Sequence, residues 1–200
     1  MKLNVPYYSQ FVDVTDPFWM LRACGAVSLK MVAEYHSAAV PDIVTLCNEA
    51  RDRGGYDMSN GWIHDYLVMK AKELGLDAHR KEGMTNMDEI IASLDAGNPV
   101  IVSVEKRVLE QTRFHLIVLT GLELSADSRG TDAEQRGKNT DDIVSQLANG
   151  YKLKATGCIF YHEPESTDKE KGQFRKCDIE TFQNYWRGKA IFISKSDRNA

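Results

Sequence analysis

The chain has 200 residues, 42% of them hydrophobic and 27% charged, with a formal net charge of −4. That length can bury one sizeable core without disulfides or metals, and the mildly acidic balance gives no reason to invoke nucleic acid or an anionic membrane surface. No stretch approaches the roughly 20 apolar residues that span a bilayer. The start, Met1-Lys2-Leu3-Asn4-Val5-Pro6, lacks the apolar run of a secretory signal, so a cytoplasmic location, or a secreted form already trimmed, is expected.

The first predicted element is a helix beginning at Cys24-Gly25. Val27, Ser28, Met31, Val32 and Tyr35 recur at three and four residues on the side of Cys24. A thiol at a helix start faces unpaired N–H groups and the positive end of the dipole, which favour thiolate. A lone Cys is more often a small core residue, so the reading needs a partner, and one follows later in the chain.

Pro41-Asp42 opens a second helix to about Arg51, with Gly54-Gly55 after it. Ser59-Asn60-Gly61 starts a third, in which Ile63, Tyr66, Leu67 and Leu74 form the core stripe and Gly75 closes it. In a short fourth, Asn86 caps, Glu89 reaches back as a capping-box partner, Ile90, Ile91 and Leu94 face inward, and Gly97-Asn98-Pro99 stops it. Strands follow at Val100 to Val104, Phe114 to Leu122, Gly157 to Tyr161 and Ala190 to Ser194. Helices first and strands later describe one α+β domain over 1–200.

His115 lies near the start of the second of these strands. A Cys on a helix start and a His on a strand suggest a thiol nucleophile and its base. If that strand returns as Cys158 to Glu163 with Thr120 opposite Cys158, Glu163 falls opposite His115 and on the same face. Glu163 then either holds the imidazole tautomer or is an edge-strand charge facing water, depending on register. Between the two arms, 125–156 is a polar insertion, too long for a hairpin loop of roughly 2–5 residues. It is expected to be a less ordered excursion or a substrate-facing lid.

The four cysteines, Cys24, Cys47, Cys158 and Cys177, include no close pair of the kind that binds zinc, so no metal and no cofactor is expected. Cys47, with Ile43, Leu46 and Ala50, and Cys158 in its strand read as packing residues. His36, His64, His79 and His162 read as solvated or capping residues rather than ligands.

Tyr7-Tyr8-Ser9-Gln10, Trp19, Cys24-Gly25-Ala26-Val27-Ser28-Leu29-Lys30-Met31, and Phe114-His115 through Gly121 together resemble the papain-like cysteine peptidases that process bacteriocin leaders, the double-glycine type. Gly61 to Leu76 is similar to that family's central helix. Tyr161-His162-Glu163-Pro164, with Phe182, Trp186, Arg187 and Gly188, resembles its C-terminal block. The resemblance implies a papain-like fold, with N-terminal helices packed on a mostly antiparallel sheet. It makes Cys24 the nucleophile, His115 the general base and acid, Gln10 the side-chain oxyanion donor and Glu163 the orienting acid, where the family usually has Asp or Asn.

The implied activity is that of a cysteine peptidase acting on a peptide or protein substrate. An amine or thiol acceptor in place of water would make the same site an acyltransferase. A catalytically silent peptide-binding domain and a structural or inhibitory partner are the rivals from other classes. Members of the family are commonly fused to a membrane transporter with an ATPase, and neither part is recognisable in this sequence.

Overall fold

The computed structural model describes residues 1–108, 111–124 and 157–196. The polar insertion expected at 125–156 lies outside them. Helix α1 (Pro17–Met20) opens with Pro at its first position, and the Asp16 carboxylate accepts from the N–H groups of Phe18 and Trp19. It leads directly into α2 (Cys24–Tyr35), nine of whose residues are buried, and α3 (Ile43–Asp52) follows with Asp42 capping the N–H of Thr45 at 3.0 Å. Strands β1 (Tyr56–Asp57) and β2 (Gly61–Trp62) form a small hairpin, then α4 (His64–Glu73), β3 (Leu76–Lys81) and α5 (Asp88–Asp95) follow.

The remaining elements are β4 (Val100–Val108), β5 (Gln111–Leu124), β6 (Gly157–His162), α6 (Lys169–Gly172), β7 (Arg175–Asp178), α7 (Ile179–Tyr185) and β8 (Trp186–Lys195). Six strands make one sheet in the order β3-β8-β4-β5-β6-β7, with every neighbouring pair antiparallel. Helix α2 packs on β5 and β4, and α4 packs on β3. Val27, Met31 and Val32 of α2 meet Ile101, Val118, Leu119 and Ile191 of the sheet in one buried cluster. Each such side chain contributes roughly 1.5–3 kcal/mol when fully buried. The α+β reading with a mostly antiparallel sheet therefore holds.

Several elements differ from expectation. The third helix starts at His64, not at Gly61, because Gly61 and Trp62 pair with Tyr56 and Asp57. Pro41 precedes the cap of α3 and is not in its first turn. The capping box at α5 does not form: Asn86 accepts from the N–H of Asp88 at 3.2 Å, but Glu89 ion-pairs with Lys81. Strands β3 and β7 and helix α7 were not foreseen. The edge strands carry mostly polar residues, and only Leu76 and Ala78 of β3 alternate inward.

The β5–β6 register also differs. Val118 pairs with His162 and Leu119 with Tyr161, then the ladder slips so that Gly121 pairs with Phe160 and Leu122 with Ile159. Thr120 is the extra residue of this bulge, and its carbonyl accepts instead from the N–H of Leu3 at 2.7 Å. The chain start runs so close there that a Cβ on Gly121 would stand 2.4 Å from the carbonyl oxygen of Met1. Continued past His162, this register sets Glu163 against Ile117 rather than His115. The offset of two residues leaves Glu163 on the same face.

Candidate active site

Cys24 is the first residue of α2 and is half-buried. Ala23 supplies no side-chain cap, so the N–H groups of the first turn have no capping side chain. Gly25 is required beside it. A Cβ there would lie 2.3 Å from Cδ2 of Trp62, whose ring covers the helix start while its Nε1–H donates to the carbonyl of Arg22 at 2.7 Å. Trp62 in turn leans edge-on against Tyr56, and Tyr56 against the buried Trp19.

His115 enters from β5 and is almost wholly buried. Its Nε2 lies 2.6 Å from Oε1 of Glu163, and the Cys24 side chain stands near enough to the same ring to act on its pKa. Burial alone lowers the imidazole's pKa, but the neighbouring Cys24 and Glu163 outweigh it and raise it to about 10. Glu163 is governed by the same balance: burial raises it, and the His115 hydrogen bond, with Lys106 3.9 Å away, holds it down at about 2.

Glu163 is anchored through its backbone. Its N–H donates to Gly172 at 2.9 Å, its carbonyl accepts from the Tyr7 hydroxyl at 2.7 Å, and Oε1 also accepts from the N–H of Glu165 at 2.9 Å. Gln10 is fully buried alongside. Its N–H donates to the carbonyl of Pro164 at 2.8 Å, and Nε2 donates to the carbonyl of Met20 at 3.0 Å and to Oε1 of Glu165 at 3.5 Å. The Ser9 hydroxyl donates to the carbonyl of Ser166. The chain between Phe11 and Arg22 loops out, carrying α1, so the segment with Gln10 is stitched to the segment with Glu163.

The structure thus brings Cys24, His115 and Glu163 together, with His115 bonded to Glu163, and sets Gln10 against a second carboxylate whose Oε1 is 3.8 Å from Nδ1 of His115. That carboxylate, Glu165, was not foreseen, nor were its cations Lys106 and Arg113. The cations had a signal: Arg113 is two residues before His115, and Lys106 pairs opposite Arg113, so all three share a face. Glu165 follows Pro164 outside any strand, where no period tells which way it points.

Among the other histidines, His162 corrects its expectation. It is fully buried, with Nε2 3.0 Å from the carbonyl of Val5 and Nδ1 accepting from the N–H of Phe174 at 3.0 Å, and burial lowers it to about 4. His36 does sit at the end of α2, but it is buried against the carbonyl of Ile193, not solvated. His79 lies on the exposed face of β3, solvated as expected, and stacks on Phe192. Cys47 is a packing residue, fully buried, and burial pushes its thiol up. Among the described residues no group of three or more His, Cys, Asp or Glu is arranged to hold a metal, and no helix is long and apolar enough to cross a membrane.

A helix carrying a half-buried thiol at its start, laid against an antiparallel sheet that presents a buried His, defines the fold class of the papain-like peptidase domains. Residues 2–189 match the Peptidase_C39 like family, and the chain belongs to it. Two solved structures share the fold. The peptidase domain of Streptococcus ComA, a bi-functional ABC transporter involved in a quorum sensing pathway, is 19% identical with a TM-score of 0.52, over 88% of this chain and 93% of that one. A double glycine motif protease from an AMS/PCAT transporter, in complex with its leader peptide, is 17% identical with a TM-score of 0.53, over 98% of this chain and 94% of that one. No curated protein sequence matches the chain.

Proposed function

We propose that this chain is a thiol-dependent hydrolase, a cysteine peptidase that cleaves a peptide bond through Cys24, His115 and Glu163. The observation that carries the reading is His115, bonded at 2.6 Å to Glu163 and lying beside Cys24. In this reading His115 takes the Cys24 proton, which makes the nucleophile a thiolate as it attacks. The thiolate attacks the carbonyl carbon. The backbone N–H of Cys24 and the Gln10 amide serve the oxyanion, and His115 gives its proton to the leaving amine. Glu163 holds the ring and balances its charge. Water, deprotonated by His115, then hydrolyses the thioester.

The substrate is a peptide or protein, and the reaction needs no cofactor. A cytoplasmic setting belongs to this reading and is supported by the four unpaired cysteines. The test is reaction of the full chain with a peptidyl vinyl sulfone, read by intact mass and peptide mapping. One adduct on Cys24, absent in His115→Ala, is the expected result. A wild-type protein that takes no adduct is a silent peptide-binding domain instead.

A further inference from the structure

Glu165 is a nearly buried carboxyl side chain set beside Gln10 and His115. Its side chain is only 7% exposed, Oε2 lies 2.7 Å from Nζ of Lys106, and Oε1 pairs with Arg113. The same Oε1 is 3.5 Å from Nε2 of Gln10 and 3.8 Å from Nδ1 of His115. An amide nitrogen has two hydrogens. One of Gln10's goes to the carbonyl of Met20 and the other to Glu165, so a carbonyl oxygen that needs Gln10 must take the place Glu165 holds.

We propose that Glu165 is a gate on the oxyanion position: a resident carboxylate on Gln10 that the incoming carbonyl displaces. The inference rests on the roles given above to Cys24 and Gln10. A negative charge at this point opposes both the thiolate and the oxygen that becomes negative in the tetrahedral intermediate. Lys106 and Arg113 make its residence tolerable. They also offer a way out, because they stand on the outer ends of β4 and β5, with side chains 33% and 50% exposed. The backbone of Glu165 stays tied to Glu163 through its N–H, so opening needs the side chain alone to turn. The consequence is selectivity. A peptide that fills the cleft well enough to displace Glu165 reacts, and a small electrophile that needs no oxyanion donor reacts regardless.

The opposite role, Glu165 as a support that orients Gln10, predicts the opposite sign, and two probes separate them. Iodoacetamide alkylates Cys24 without using the oxyanion site. N-acetyl-glycyl-glycinal uses it: the Sγ–C bond forms, the C=O π bond breaks, and the oxygen, first an alkoxide, takes the proton of His115. Aldehyde affinity is read as protection of Cys24 from iodoacetamide. In Glu165→Gln the aldehyde should bind about tenfold tighter relative to the change in the bare alkylation rate. Glu165→Asp, too short for both Gln10 and its cations, should shift in the same direction and serves if the Gln variant folds poorly. An unchanged or weaker aldehyde affinity with Cys24 still reactive overturns the gate alone. A wild-type Cys24 that resists iodoacetamide and gains nothing from the aldehyde overturns the peptidase reading and the gate with it.

Discussion

Nε2 of His115 and Oε1 of Glu163 lie 2.6 Å apart across 48 residues of sequence, yet the two residues are not partners in the β5–β6 ladder, which ends at His162. The bulge at Thr120 sets the register, and on that register Glu163 is two residues displaced from His115 along the same face. A diagonal neighbour is beyond a short side chain and within reach of a long one. The glutamate, one methylene longer than the residue usual in the family, spans that offset.

Removing the charge of Glu163 should change stability in a defined pH window. His115 is raised from 6.5 to about 10, so its contribution is full below about 6.5 and fades as pH rises through 10. Glu163 is lowered from 4.5 to about 2, so its contribution is full above about 4.5 and fades as pH falls through 2. Glu163→Gln should therefore lose most stability between about pH 4.5 and 6.5, on the order of 1–3 kcal/mol. Urea unfolding of both proteins across pH measures it. A difference that grows steadily to pH 10 would contradict the pairing.

Among the thiols, Cys24 should react first with limiting iodoacetamide near neutral pH, because it lies at a helix start beside the buried imidazole of His115. Cys47 should label last, and only on unfolding, since it is fully buried and burial raises its pKa. Peptide mapping against time gives the order. Earlier labelling of Cys158 or Cys177 would remove Cys24 from the nucleophile's role.

The parts of this arrangement legible in the sequence were those with a period or a cap. The stripe Val27, Met31, Val32 announces α2 and puts Cys24 at its start, and the apolar run after Phe114 announces the strand of His115. The Glu163 pairing was reached through a register two residues away from the one observed, and its parity survived because side chains alternate with period two. What stayed hidden depends on chain crossings. The bulge at Thr120 coincides with Leu3 taking its carbonyl, and Trp62, paired with Tyr56 outside the expected helix, packs on the bare surface of Gly25. Neither partner is near in sequence.

Gly25→Ala tests that surface. A Cβ 2.3 Å from the indole of Trp62 forces the ring, or the start of α2, to move. Overpacking of this kind costs about 1–3 kcal/mol, and here the strain falls on the residue beside Cys24. Labelling of Cys24 should slow more than the loss of stability accounts for. Gly25→Ala with Trp62→Ala should recover stability but not the helix start's cover. A single variant with wild-type Tm and labelling rate would mean that Trp62 does not hold this place.

His162 predicts an acid limb of stability that owes nothing to the active site. Its folded pKa is lowered to about 4 by burial, against 6.5 when free, so the neutral ring stabilises the fold above about 6.5 and that contribution is lost as pH falls toward 4. The ring bonds Val5 on one side and Phe174 on the other, joining the chain start to the segment before β7. His162→Gln removes the titration. Its stability should be lower than wild type at pH 7 by about 1–3 kcal/mol, with a shallower fall between pH 6.5 and 4, as thermal unfolding in matched buffers would reveal.

The reach of Glu163 leads to the last prediction. The family's usual residue suggests that Asp should serve as well, but the observed register changes that expectation. Shortening by one methylene withdraws the carboxylate by about 1.5 Å, so the 2.6 Å contact opens beyond hydrogen-bond distance unless the backbone follows. The backbone is held by Gly172 and Tyr7, which leaves it little freedom to do so. Glu163→Asp should therefore lower the maximal inactivation rate by a peptidyl vinyl sulfone about tenfold with little change in the half-saturating concentration, and Glu163→Gln should lower it further, by about 10² to 10⁴. Full reactivity in Glu163→Asp would show that the 163–166 segment adjusts to the shorter acid. Full reactivity in Glu163→Ala would leave Cys24 and His115 working as a dyad.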